Sequence, residues 1–208
     1  LLHDFVLYYK VMKYRWAFAR KAEVSTVKMP ENLTEVKLRQ TDIYTGKILK
    51  LHIDDVRLPN GREAVREVVD HVDGAAVLAL DEENRALVVW QYRYVFGRVM
   101  AELPAGKLDP GEDPVTGALR ELKEETGAAP GTLLPLGRMI PAPGCYGETL
   151  HLFLARDLTF GPQHLDADEF LNVERVPFDE LVHRCVNGEI DDGKTVAAVL
   201  RAKVLLNL

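Results

Sequence analysis

The chain has 208 residues, 47% of them hydrophobic and 28% charged, with 26 basic and 32 acidic side chains giving a net charge of −6. These proportions are those of an ordinary globular chain and exclude collagen-like, mucin-like and wholly disordered sequences. No run approaches the roughly 18 apolar residues that span a bilayer, so no membrane partner is expected; nor is nucleic acid, whose phosphates are held by Lys and Arg rather than by an acidic chain.

The charge is uneven. Residues 1–28 carry Lys10, Lys13, Arg15, Arg20, Lys21 and Lys28 against Asp4 and Glu23. They lack an apolar stretch followed by a small-residue cleavage site, so a secretory signal is not expected. A basic amphipathic helix or an organelle-targeting segment is one reading. The reading adopted is an N-terminal basic extension over 1–34, with Met29-Pro30-Glu31-Asn32 as a natural start. The two cysteines, Cys145 and Cys185, form no CxxC pair and no disulfide framework, which suits a reduced, cytoplasmic setting.

From Lys37 the pattern is strand-like. Lys47–Asp54 alternates apolar and polar residues from Leu49 onward, Leu58-Pro59-Asn60-Gly61 is a turn, and Arg62–His71 resumes in extended form, so a hairpin is predicted. These strands are read as an N-terminal strand region over 35–72, ahead of a main domain over 73–208. Ala75–Leu80 and Ala86–Trp90 are apolar runs parted by Asp81-Glu82-Glu83-Asn84, read as a second, more buried hairpin, with Gln91–Val95 continuing its strand. Residues 113–126 are predicted helical. Asp113 is the N-cap, Pro114 takes the first helical position and Gly127 stands just past the end. Val115, Ala118, Leu119, Leu122 and Thr126 share one face. A Pro/Gly-rich stretch follows, then strands at Leu150–Ala155 and Phe170–Val176 and helices at Phe178–Asn187 and Thr195–Asn207. The order of elements predicts an α+β class with mixed sheets.

The chemistry lies in Gly106–Ala128, GKLDPGEDPVTGALRELKEETGA. Glu121, Glu124 and Glu125 fall within one sector of roughly 100° of the helix. Three carboxylates so placed repel one another, and a hard divalent cation with oxygen ligands offsets that repulsion. The alternative is a solvated acidic face in which Arg120 pairs with Glu124 at i,i+4.

The spacing decides between them. Gly106, Glu112, Arg120, Glu121, Leu122, Glu124, Glu125, Gly127 and Ala128 fill the pattern Gx₅Ex₇REUxEExGU, where U is a bulky aliphatic residue; Ala128 is smaller than the usual last one. A chance match is on the order of 10⁻⁶. The segment resembles the Nudix box. The resemblance implies an α/β/α sandwich with a mixed sheet, carrying the box as loop–helix–loop, and hydrolysis of a nucleoside diphosphate linked to another group. It implies Mg²⁺ (or Mn²⁺) held by Glu121 and Glu125, with Glu124 contributing. It also implies that Arg120 orients the glutamates and that the Ala105 carbonyl is a further metal ligand.

Residues outside the box narrow the resemblance to the ADP-ribose pyrophosphatase subgroup. Gln91-Tyr92-Arg93 and Glu102-Leu103-Pro104-Ala105-Gly106 are similar to its QYR and ELPAG segments, and Pro143 stands 16 residues after Gly127, where that subgroup carries a proline. The implied substrate residues are Arg93, on the diphosphate, with Glu102 and Pro143. On the late loop, Glu169 matches the subgroup's base or extra metal ligand, while the acid usual two residues earlier is Ala167, which leaves the base unassigned. The implied reaction converts ADP-ribose to AMP and ribose 5-phosphate, in a homodimer built on the N-terminal strands. Two alternatives stay open: a pyrophosphatase for another nucleoside diphosphate sugar, and a non-catalytic nucleotide-binding sensor.

Overall fold

The computed structural model describes residues 32–167 and 169–206. The readings made on residues 1–28 therefore lie outside the described residues. The described chain divides into two compact units, one of residues 73–139 and 149–206, the other of 32–72 and 140–148.

The second unit is built on an antiparallel sheet of β1 (Val36–Thr45), β2 (Lys50–Arg57) and β3 (Glu63–Asp70). The predicted hairpin is β2–β3, with Lys50 opposite Asp70 and Arg57 opposite Glu63. Its turn closes through Gly61 N–H to the Leu58 carbonyl at 2.9 Å. β1 is exposed at all ten positions, including Val36, Ile43 and Tyr44. The loop 140–148 joins this unit by backbone bonds, Val69 N–H to the Cys145 carbonyl and Gly147 N–H to the Val69 carbonyl.

The first unit holds two sheets. One is mixed, in the order β7 (Ala105–Lys107), β4 (Gly74–Ala79), β9 (Leu150–Phe160), β8 (Ala128–Met139), with β4 and β9 parallel. The other is antiparallel, in the order β10 (Leu171–Pro177), β5 (Arg85–Arg93), β6 (Arg98–Glu102). The three helices among the described residues are α1 (Pro114–Thr126), α2 (Phe178–Val186) and α3 (Gly193–Leu206). The class is α+β, as the order of elements predicts.

The alternation of β4 shows how the layers form. Ala76 and Leu78, with Leu80 just past the end of the strand, pack with Leu181, Ala198 and Val199 of α2 and α3. Ala75, Val77 and Ala79 pack on the other side with Ala118 and Leu122 of α1. All six strand residues are buried, which is why the segment reads as a continuous apolar run rather than an alternating one.

One expectation is corrected, and an unassigned strand is added. Ala75–Leu80 and Ala86–Trp90 do not form a hairpin. Beyond a single bridge, Leu80 to Ala86, the strands separate into different sheets. Each is buried on both faces and needs neighbours along both edges, β4 taking β7 and β9, β5 taking β10 and β6. The Pro/Gly-rich stretch after the first helix, for which the sequence predicts no element, is a strand. It is the 12-residue edge strand β8, which tolerates Pro130 and Pro135 because one edge needs no ladder partners.

Candidate active site

Local chemistry sets α1 in place. The Asp113 carboxylate accepts the N–H groups of Val115 and Thr116, and Pro114 needs no donor there. Gly127 ends the helix at φ 70°, and a Cβ at that position would meet the Gly161 carbonyl oxygen at 2.2 Å. Val115 is exposed and leaves the predicted apolar face. The buried face comprises Gly117, Ala118, Glu121, Leu122, Glu125 and Thr126, so two glutamates are drawn in beside the apolar stripe.

Both carboxylates meet β7. Ala105 N–H donates to Glu125 Oε2 at 3.0 Å. At Gly106 an added Cβ would stand 2.1 Å from the Glu121 carboxyl carbon, so the glycine opens the space that this carboxylate fills. Glu124 is less buried. It shares Arg120 Nη1 (3.1 Å) with Glu121 (2.8 Å).

Arg120 is the hub. Besides those two glutamates it reaches Glu112 through Nε (3.0 Å) and Nη2 (2.9 Å), and the Lys107 carbonyl at 3.0 Å. It thus pairs with Glu124 at i,i+4 and ties the helix glutamates to the preceding loop. The Arg120 guanidinium, with help from the Asp109 N–H, holds the Glu112 carboxyl down at about 2.

The buried pair titrates the other way. Burial pushes Glu125 up to about 8; the charges of Glu121 and Glu169 add to this, while the Ala105 N–H and Lys194 oppose it. Burial also raises Glu121, with Glu124 and Glu169 adding and Arg120 opposing. Glu169 thus stands within electrostatic reach of both glutamates, and in its own loop its carboxylate accepts the Asp166 N–H at 3.2 Å. The donors are hard oxygens, two buried carboxylates crowded by a third, and their chemistry suits a divalent cation such as Mg²⁺. Among the described residues no three His, Cys, Asp or Glu side chains already converge as a ligand set. Arg120 and the Ala105 N–H hold part of that oxygen surface instead.

Arg93 and Glu102 meet each other. The guanidinium donates to both carboxylate oxygens, at 2.6 and 2.7 Å, across the β5–β6 pair. Glu102 is 2% exposed, whereas the Arg93 side chain is 41% exposed. Burial works against ionised Glu102, but Arg93 and Lys194 outweigh it and keep the carboxyl below its ordinary range. Pro143 belongs to the other unit, on the exposed loop 140–148.

The sequence reading missed Lys194, Asp192 and Thr195. Lys194 is buried and bonds Glu102 and Asp192. One signal was available: a lysine in the first turn of a helix opposes the macrodipole and calls for a carboxylate partner.

The site is thus a loop–helix–loop whose buried carboxylates face a short strand of a mixed sheet. Residues 70–199 match the family model described as NUDIX domain, and residues 36–69 match the nucleoside diphosphate sugar hydrolase N-terminal domain. The chain belongs to the Nudix family and is a Nudix hydrolase. It is 37% identical over 171 residues to an ADP-ribose pyrophosphatase of Bacillus subtilis (strain 168), covering 81% of this chain and 92% of the relative. It is 40% identical over 167 residues to a methanol dehydrogenase activator of Bacillus methanolicus, covering 79% and 90%. The fold is shared with the crystal structure of an ADP compounds hydrolase, at TM-score 0.76 and 20% identity, covering 85% of this chain and 97% of that one. Nudix hydrolases generally need divalent metal ions.

Proposed function

We propose that the chain hydrolyses the pyrophosphate bond of ADP-ribose, giving AMP and ribose 5-phosphate, with Mg²⁺ as cofactor and Mn²⁺ as a substitute. One observation carries this reading. Glu121 and Glu125 are buried side by side against β7, with the Glu125 carboxyl pushed up to about 8 by burial and by its acidic neighbours. An unpaired buried carboxylate is costly, and a cation between the two relieves that cost. The likeness to the Bacillus subtilis ADP-ribose pyrophosphatase supports the substrate.

Glu121 and Glu125 would hold the metal, with the Ala105 carbonyl and Glu169. When bound, a divalent cation neutralises charge on the pyrophosphate oxygens and makes water more acidic. Arg120 keeps Glu121 and Glu124 oriented through the bonds described above. Arg93, exposed on one side of its pair with Glu102, binds the diphosphate by its planar fork of donors. Pro143 shapes the substrate loop. Glu169 accepts the proton of the attacking water, with Glu124 assisting. The acting form is a homodimer. The wholly exposed ten-residue β1 supports this, since a long unpartnered edge strand is otherwise an association hazard. A cytoplasmic setting agrees with two free thiols, Cys145 and Cys185.

The test is a substrate panel with Mg²⁺: ADP-ribose, other nucleoside diphosphate sugars and dinucleotides. Preference for ADP-ribose, with AMP and ribose 5-phosphate as products, is the expected result. Preference for another sugar nucleotide overturns the substrate. Binding without turnover of any compound overturns the reaction.

A further inference from the structure

Four charged side chains of the first unit form a balanced cluster beside the carboxylate site. Arg93 and Lys194 both donate to Glu102, and Lys194 also donates to Asp192 Oδ1 at 3.0 Å. Glu102 and Lys194 are buried, at 2% and 8% exposure, while Arg93 opens to solvent on one side. The cluster is fastened at its base. Asp192 Oδ2 accepts the Thr195 N–H at 3.0 Å and the Thr195 hydroxyl at 2.5 Å, and the hydroxyl oxygen accepts the Leu103 N–H at 2.9 Å. The first turn of α3 therefore grips the end of β6 at two consecutive residues, Glu102 by its side chain and Leu103 by its backbone. Two residues further along, Ala105 N–H meets Glu125.

We propose that Lys194 is a positioning residue for substrate binding, the fixed counter-ion that frees Arg93 to engage the diphosphate. The inference rests on the reading of Arg93 given above. A buried carboxylate needs compensating charge. With Lys194 present, Glu102 stays compensated when Arg93 turns part of its donor fork to a phosphate oxygen. Without it, Arg93 alone neutralises Glu102, and the substrate must compete with a buried, bidentate ion pair. Lys194 contacts no substrate. It acts through Glu102, from a helix turn whose dipole disfavours a lysine unless such a partner is present.

The test compares Lys194→Met, Glu102→Gln, the double variant and Arg93→Ala in steady-state hydrolysis. The substrate is the nucleoside diphosphate sugar that the wild-type chain prefers, and folding is checked by circular dichroism and thermal melting. Lys194→Met is expected to raise KM roughly ten- to a hundredfold, the worth of a hydrogen bond to a charged group, with kcat within about threefold of wild type. In the double variant, Glu102→Gln removes the charge that Lys194 compensates, so its KM is expected to match that of Glu102→Gln alone. That recovery is one that a purely structural lysine does not give. If Lys194→Met does not fold, the charge-neutral double variant against Glu102→Gln still decides the matter, and a KM well above that of Glu102→Gln overturns the proposal. A wild-type KM in Lys194→Met, with Arg93→Ala raised, overturns this inference alone. An Arg93→Ala KM equal to wild type overturns the substrate role of Arg93 and this inference with it.

Discussion

Replacing Glu125 by Gln should stabilise the metal-free protein while abolishing its activity. The folded-state carboxyl titrates at about 8 against an ordinary value of 4.5, because it is buried and crowded by Glu121 and Glu169. A raised folded pKa contributes stability that is full below 4.5 and is lost as pH climbs through about 8. Over that window the loss is up to about 5 kcal/mol, at about 1.4 kcal/mol per pH unit. Glutamine keeps an oxygen to accept the Ala105 N–H and carries no charge at any of these pH values. At 2–4 °C per kcal/mol, the variant should melt roughly 10–20 °C above wild type at pH 9 in excess chelator. The two melting curves should converge as pH falls toward 4.5. The assay is thermal unfolding by circular dichroism across pH 4.5–9 with EDTA present. Parallel pH profiles for the two proteins, or a variant less stable at pH 9, would refute the reasoning. With Mg²⁺ restored, turnover by the variant should be lower by several orders of magnitude.

Gly106→Ala puts a methyl into the Glu121 carboxylate, so kcat should fall about a hundredfold or more, while the displaced group is a flexible side-chain end and Tm should change little; kinetics beside a melt separates the two. Arg120→Lys cannot span Glu112, Glu121, Glu124 and the Lys107 carbonyl together, and hydrolysis should drop at least tenfold in a steady-state assay. Thr195→Val leaves the buried Leu103 N–H without its acceptor and should cost about 1–3 kcal/mol in urea unfolding.

Much of the site was legible because its local rules agree. Asp113, Pro114 and Gly127 mark both ends of α1, and the glutamate spacing puts the carboxylates in one sector whatever the tertiary context. What stayed hidden depended on contacts distant in sequence. Asp81–Asn84 has the polarity of a hairpin turn, and Asp81 does accept the Glu83 and Arg85 N–H groups, yet burial on both faces sends β4 and β5 to different sheets. Val115 has the right spacing for the buried face but sits in the first turn, where it stays exposed; two residues further on, Leu108 fills the space a Gly117 side chain would take. Starting the last helix at Thr195 left Lys194 outside it, although its partner Glu102 lies 92 residues away. The Arg93–Glu102 pair went unseen because β6 went unassigned.

The account turns on Glu121 and Glu125 binding a divalent cation. Calorimetric titration of Mg²⁺ into the wild-type chain and into the paired variant Glu121→Gln with Glu125→Gln tests this directly. Saturable binding by the wild type and none by the folded variant is the predicted result. Equal binding by both would contradict the account.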